Sequence, residues 1–207
     1  MQAKIKICGI TNLDDATAAL DFGADALGFV FFQGSPRCIP LSTAAKIIRK
    51  IPPFITTVGV FVNEKPEQIE KIITLTGIDV VQLHGDEPPD KCTFSRRSIK
   101  AIRVKSLDSL DPLLDYKDIV SAFLLDTFAP DVFGGTGQIF NWDIAIEAKQ
   151  FGRIILAGGL TPDNISDAVE RVKPYGIDVS SGIEAEKGIK DHKMMKLFIE
   201  RAKGRKK

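Results

Sequence analysis

Cysteine is scarce in this chain, and the three present, Cys8, Cys38 and Cys92, are an odd and scattered set that excludes a disulfide framework. No targeting segment precedes the first apparent strand, so a reducing cytosol is the expected setting. The longest apolar runs, such as Ala26 to Phe32, fall far short of the roughly 18 residues a membrane helix needs. An excess of one charge is also missing. With 28 Lys and Arg against 27 Asp and Glu, no net field draws the chain to nucleic acid or anionic lipid. No cluster of His, Cys, Asp and Glu suggests a metal. No Gly/Ser-rich linker, low-complexity segment or half-length repeat divides the sequence. These absences leave one domain over residues 1–207, acting on a small molecule. Neither a monomer nor a homodimer is favoured.

What is present is alternation. At 207 residues and 44% hydrophobic content the chain can bury a sizeable core. Short β-branched or aromatic runs alternate with amphipathic segments, the pattern of parallel strands covered by helices. Strands are expected at Lys4–Cys8, Ala26–Phe31, Thr56–Phe61, Asp79–Leu83, Lys100–Arg103, Ala122–Asp126, Arg153–Ala157 and Gly176–Val179. An Asn12 cap predicts a helix with Leu13, Ala16, Thr17 and Leu20 on one face, and Pro66 opens another with Ile69, Ile72 and Ile73. Thr161-Pro162 predicts a helix that buries Ile165, Ala168, Val169 and Val172. Asp191 caps a last one carrying Met194, Leu197 and Phe198. Pro88, Pro89 and the polar stretch 90–98 shorten whatever follows the fourth strand. The basic tail 203–207 is expected to fray. Eight β/α units in one unbroken run predict an α/β fold closed into a (β/α)8 TIM barrel, with an open sheet as the alternative.

Barrels place reactive groups where strands end and βα loops begin. Strand one ends in Cys8-Gly9, a thiol able to act as base or nucleophile. After strand two, Ser35-Pro36-Arg37 presents a guanidinium suited to a carboxylate. Strand six ends in Leu124-Leu125-Asp126, where desolvation would raise the carboxyl pKa and keep a proton to donate. Residues 131–140, with Gly134 to Gly137, suggest a lid. Gly158 and Gly159 after strand seven, and Ser180, Ser181 and Gly182 after strand eight, expose N–H groups and hydroxyls where barrels bind phosphate beside a short helix N-terminus. The expected ligand is a phosphate monoester.

Each of these residues also has an ordinary explanation. A lone cysteine is often a small buried hydrophobe, and Cys38 and Cys92 are taken as such. Arg37 alone is compatible with a solvated side chain, and Asp126 alone with a loop cap. His84 is expected to satisfy local backbone groups and His192 to lie on the surface. The coincidence of thiol, guanidinium, carboxylate and both glycine-rich loops at strand C-termini tips the balance toward a site.

At these residues the chain resembles the phosphoribosylanthranilate isomerase family of tryptophan biosynthesis. The resemblance runs through Lys6-Ile7-Cys8-Gly9-Ile10-Thr11, Ser35-Pro36-Arg37, Val81-Gln82-Leu83-His84-Gly85, Leu125-Asp126-Thr127, Gly134-Gly135-Thr136-Gly137, Ala157-Gly158-Gly159-Leu160 and Asp178-Val179-Ser180-Ser181-Gly182-Ile183-Glu184. It implies a general base at Cys8, a general acid at Asp126, a carboxylate-binding Arg37 and a phosphate site at the last two strand ends. It implies no metal or organic cofactor. The sequence departs from the family in the lid, where Gln138-Ile139 replaces the usual lysine and threonine and Asn141 the common aspartate. The rivals are a histidine-pathway isomerase, which would show twofold repetition, a flavin-binding barrel, which would be yellow, and a catalytically silent phosphometabolite-binding barrel.

Overall fold

A computed structural model describes residues 2–127 and 141–204. Its eight parallel strands are β1 (Lys4–Cys8), β2 (Ala26–Val30), β3 (Thr56–Phe61), β4 (Val80–Leu83), β5 (Arg97–Val104), β6 (Ala122–Thr127), β7 (Ile154–Leu156) and β8 (Gly176–Val179). They close into a barrel, with β1 pairing to both β2 and β8. The closed barrel, not the open sheet, is the architecture.

Because side chains alternate along a strand, each strand feeds two cores. Ile5 and Ile7 of β1, and Phe123 and Leu125 of β6, join the layer shared with the helices. Ala122 and Leu124 of β6 pack inside the barrel with Val58, Val80 and Ile99. The inward rows then continue to the C-terminal mouth. There Cys8 packs with Val30 and Val60, and Asp126 follows Leu124 on its row.

The outer layer comprises α1 (Leu13–Phe22), α2 (Leu41–Ile48), α3 (Pro66–Thr76), α4 (Leu113–Tyr116), α5 (Trp142–Glu147), α6 (Ile165–Val172) and α7 (His192–Ala202). Asn12 caps α1 by accepting from Asp15 N at 2.8 Å, as its side-chain type favours. The buried face of α1 is Asp15, Ala16 and Ala19. Thr17, expected on it, is exposed and donates its hydroxyl to Leu13 O. Pro66 opens α3, which buries Ile69, Ile72 and Ile73 as its spacing predicts.

Further expectations are corrected. β5 begins at Arg97 instead of Lys100, because Arg97 stays exposed at the strand's start and Ser98 satisfies its hydroxyl on Cys92 O at 2.9 Å. α6 begins at Ile165 instead of Thr161, whose N–H is taken by Asn164 Oδ1 at 2.9 Å in a turn that prolongs the β7 loop. In α7, capped by Asp191, the inward residues are Met195, Phe198 and Ile199, and Met194 is exposed. Lys203 is anchored, its Nζ donating to Gly23 O at 2.6 Å.

Two strand ends are followed by short 3-10 turns. After β4, Pro88 and Pro89 leave only a 3-10 turn at Pro89–Lys91. After β8 comes another, at Ser181–Ile183, and then an antiparallel pair, β9 (Glu184–Glu186) and β10 (Ile189–Lys190). Among the described residues no helix is long and apolar enough to cross a membrane.

Candidate active site

One pocket opens at the C-terminal mouth of the barrel, lined among others by Cys8, Arg37, His84, Asp126, Gly158 and Ser180. All the residues singled out at strand ends, with Gly159, Ser181 and Gly182, line this pocket.

Cys8 ends β1 on the inward row and is buried, at 7% exposure. Burial pushes its thiol above the ordinary value, the Lys6 and Lys190 ammonium groups pull it down, and Asp178 pushes it up. Both lysines were missed from the sequence as members of the site. Lys6 stands two residues before Cys8, so the pleat puts it on the same face, where its Nζ meets Asp178 Oδ1 at 2.8 Å.

Arg37 is neither solvated nor free. Its Nε and one terminal nitrogen donate to the two carboxylate oxygens of Glu184, both at 2.7 Å. Lys190 Nζ adds a bond to Glu184 Oε1 at 2.9 Å and one to Ser180 O at 3.1 Å. Burial alone would raise the Glu184 pKa, but the Arg37 hydrogen bonds and Lys190 outweigh it and hold the carboxyl below its ordinary range. The β9–β10 hairpin thus supplies a carboxylate that fixes the Arg37 fork.

Asp126 is buried, at 5% exposure. Its Oδ1 accepts from Thr127 N at 2.8 Å, a loop-capping bond, while Oδ2 lies 3.2 Å from His84 Nε2. His84 does not satisfy local backbone. Its Nδ1 lies 3.0 Å from Gln82 Nε2, and when that amide donates, the imidazole carries its proton on Nε2 and offers it to Asp126. The Gln82-His84 pair on the inward row of β4 was visible in the sequence, but its partner on β6 was not.

Gly158 has φ 78°, and an added Cβ would overlap Thr127 Oγ1 and fall 2.8 Å from Asp126 Oδ1. Only glycine lets the β7 loop close onto the aspartate. Among the described residues, the backbone N–H groups of Gly158 and Gly159 have no backbone acceptor. The Ser180 hydroxyl donates to Cys8 O at 3.1 Å and ties the β8 loop to β1.

The lid expected over 131–140, with Gly134 to Gly137 and Gln138, lies outside the described residues, as does the end of the basic tail, Arg205 to Lys207. Asn141 is the N-cap of α5, accepting from Asp143 N at 3.1 Å, a role that asparagine and aspartate fill equally well. His192 is exposed yet reaches buried Asp15 at 2.8 Å. Cys38 and Cys92 are free thiols outside the pocket lining.

Comparison with known proteins gives the same picture. Residues 5–201 match the model of the family described as N-(5′-phosphoribosyl)anthranilate (PRA) isomerase. A protein of Geobacter sulfurreducens named N-(5′-phosphoribosyl)anthranilate isomerase is 56% identical over 202 residues, covering 97% of this chain and 98% of its own. The crystal structure of phosphoribosyl anthranilate isomerase from Thermotoga maritima is 42% identical, with a TM-score of 0.92 over 98% of this chain and 99% of that one. Another solved phosphoribosyl anthranilate isomerase, in complex with reduced 1-(o-carboxyphenylamino)-1-deoxyribulose 5-phosphate, is 40% identical with a TM-score of 0.88, over 98% of this chain and 99% of that one. With its strand-end thiol, guanidinium and carboxylate gathered in one barrel mouth, the chain belongs to the N-(5′-phosphoribosyl)anthranilate isomerase family.

Proposed function

We propose that the chain converts N-(5′-phosphoribosyl)anthranilate into 1-(2-carboxyphenylamino)-1-deoxy-D-ribulose 5-phosphate in tryptophan biosynthesis, with Asp126 as general acid and Cys8 as general base. The observation that carries these roles is the order of groups around the mouth. Asp126 on β6 and Cys8 on β1 stand on either side of the loops that follow β7 and β8. A phosphate held by the Gly158-Gly159 backbone and the Ser180-Ser181-Gly182 loop leaves the ribose between acid and base. The aryl carboxylate then points toward Arg37.

In this arrangement Asp126 protonates the furanose ring oxygen. The bond from that oxygen to C1′ breaks as the anilino nitrogen donates its lone pair, giving an iminium ion. The Cys8 thiolate takes the C2′ proton, the C–H electron pair becomes the C1′=C2′ bond, and nitrogen recovers its pair. The enolamine becomes the ketone when O2′ loses a proton and C1′ gains one. The substrate's own amine is the electron sink, so no step calls for a metal or organic cofactor. The setting proposed is a reducing cytosol, which suits free thiols at Cys8, Cys38 and Cys92.

Loss of anthranilate-type fluorescence on mixing with substrate tests the assignment. The parent turns over, and Cys8→Ala and Asp126→Asn each lose roughly 10² to 10⁴ in kcat. Parent-like kcat in either variant removes that residue from its role.

A further inference from the structure

We infer that Lys6 is the counter-ion of the Cys8 thiolate, a positioning residue held at the barrel axis by Asp178. The inference rests on Cys8 being the base, and says what lets so buried a sulfur carry charge.

Lys6 has no reason to be buried on its own account. Its side chain is 6% exposed and that of Asp178 9%, and hiding such a pair from water costs more than an apolar pair of the same size would. Lys6 Nζ lies 2.8 Å from Asp178 Oδ1 across the β1–β8 seam, where Lys6 and Asp178 are register partners. Ala122, Leu124, Val58, Val80 and Ile99 pack together in the barrel interior.

The space beside them is made for the sulfur. Gly28 of β2 is the register partner of Cys8. A Cβ built on Gly28 would meet Cys8 Sγ at 2.8 Å and Lys6 Cε at 3.0 Å. Sulfur and lysine stem therefore flank one missing side chain, a pocket that glycine alone provides. Lys6 is absent from the lining of the substrate pocket, whereas Cys8 and Asp178 are part of it. Cys8, and not Lys6, thus presents its side chain to the pocket.

The charges around Cys8 give the same answer. Around Cys8, Lys6 faces Asp178, while Arg37 and Lys190 face Glu184 in a separate ion-pair group. Three cations against two carboxylates leave one positive charge over, which a thiolate balances. Asp126 and His84 line the far side of the same pocket and pair with each other. Although burial works against its charge, Lys6 is held above the ordinary lysine value by Asp178 and Cys8, so it remains an ammonium through the working range.

The test is alkylation of Cys8 by iodoacetamide as a function of pH, followed peptide by peptide by mass spectrometry so that Cys38 and Cys92 are read separately. In Lys6→Met the midpoint of Cys8 reactivity rises by about one to three pH units. Because Lys6→Met strands Asp178, the double variant Lys6→Met/Asp178→Asn is measured too. Its midpoint also lies above the parent's, since Lys6 acts on the thiol more strongly than Asp178 does. In turnover, Lys6→Met lowers kcat more than it changes KM, and part of the loss is recovered at higher pH, where more thiolate forms. An unmoved midpoint in both variants overturns the inference and leaves Cys8 as base untouched. A raised midpoint alongside full activity in Cys8→Ala sustains the counter-ion and removes the base.

Discussion

Arg37 and Glu184 meet fork to fork, with Nε to Oε1 and the terminal nitrogen to Oε2 both at 2.7 Å. Glu184 is itself buried, its side chain 5% exposed, so the guanidinium is presented to the pocket in one orientation, with its remaining N–H groups for a ligand carboxylate. A charge-assisted hydrogen bond of this kind is worth about 1.5 to 3 kcal/mol. Arg37→Ala should raise KM about tenfold or more and change kcat less. Glu184→Gln, which keeps the shape but not the charge, should raise KM by a smaller factor. Steady-state kinetics on the two variants decide, and a fall in kcat at constant KM for Arg37→Ala contradicts a binding role.

His84 meets Asp126 at Oδ2, whereas Gly158 lies against Oδ1. Removing the ring leaves Asp126 Oδ2 without that partner and free to turn, and a misplacement of about 1 Å in a reacting group costs about 10²-fold. His84→Ala should therefore lower kcat by about that factor with KM little changed. His84→Asn, which can still donate toward Oδ2, should lose less. Equal losses in the two variants would show that the hydrogen bond is not what matters.

Cys92 gives a prediction about stability and pH. It is fully buried, and burial pushes its thiol up to about 11. Between the ordinary thiol value and that point the unfolded chain releases the proton and the folded chain keeps it. The unfolded state then binds fewer protons, so stability falls as pH rises, by up to about 1.4 kcal/mol per pH unit. Denaturant unfolding from pH 8 to 11 should show a shallower decline in Cys92→Ala than in the parent. Parallel declines would place the alkaline loss elsewhere.

Much of the site could be read from the sequence because a parallel barrel is a simple map from strand pattern to mouth. Cys8 closes β1 and Asp126 stands one residue before the end of β6, and period two carries both inward with no long-range information. Glu184 was visible only as part of a motif, since its partner is set by the β9–β10 hairpin, whose strands of three and two residues carry no periodic signal. Lys6 looked like an ordinary strand residue because its partner, Asp178, is 172 residues away. The same holds for His84, whose contact with Asp126 spans 42 residues. The face of α1 erred because a polar residue stands on its buried side: Asp15 faces inward, accepting from Lys190 N at 2.9 Å and pairing with His192 at 2.8 Å, and Thr17 is exposed.

Removal of the C2′ proton by Cys8 is tested most directly with N-(5′-phosphoribosyl)anthranilate deuterated at C2′, turned over by the parent and by Cys8→Ser under single-turnover conditions. A weaker base should make proton removal limiting, so Cys8→Ser is expected to be slow and to show a primary isotope effect larger than the parent's. A Cys8→Ser variant as fast as the parent, with no added isotope effect, would contradict the assignment.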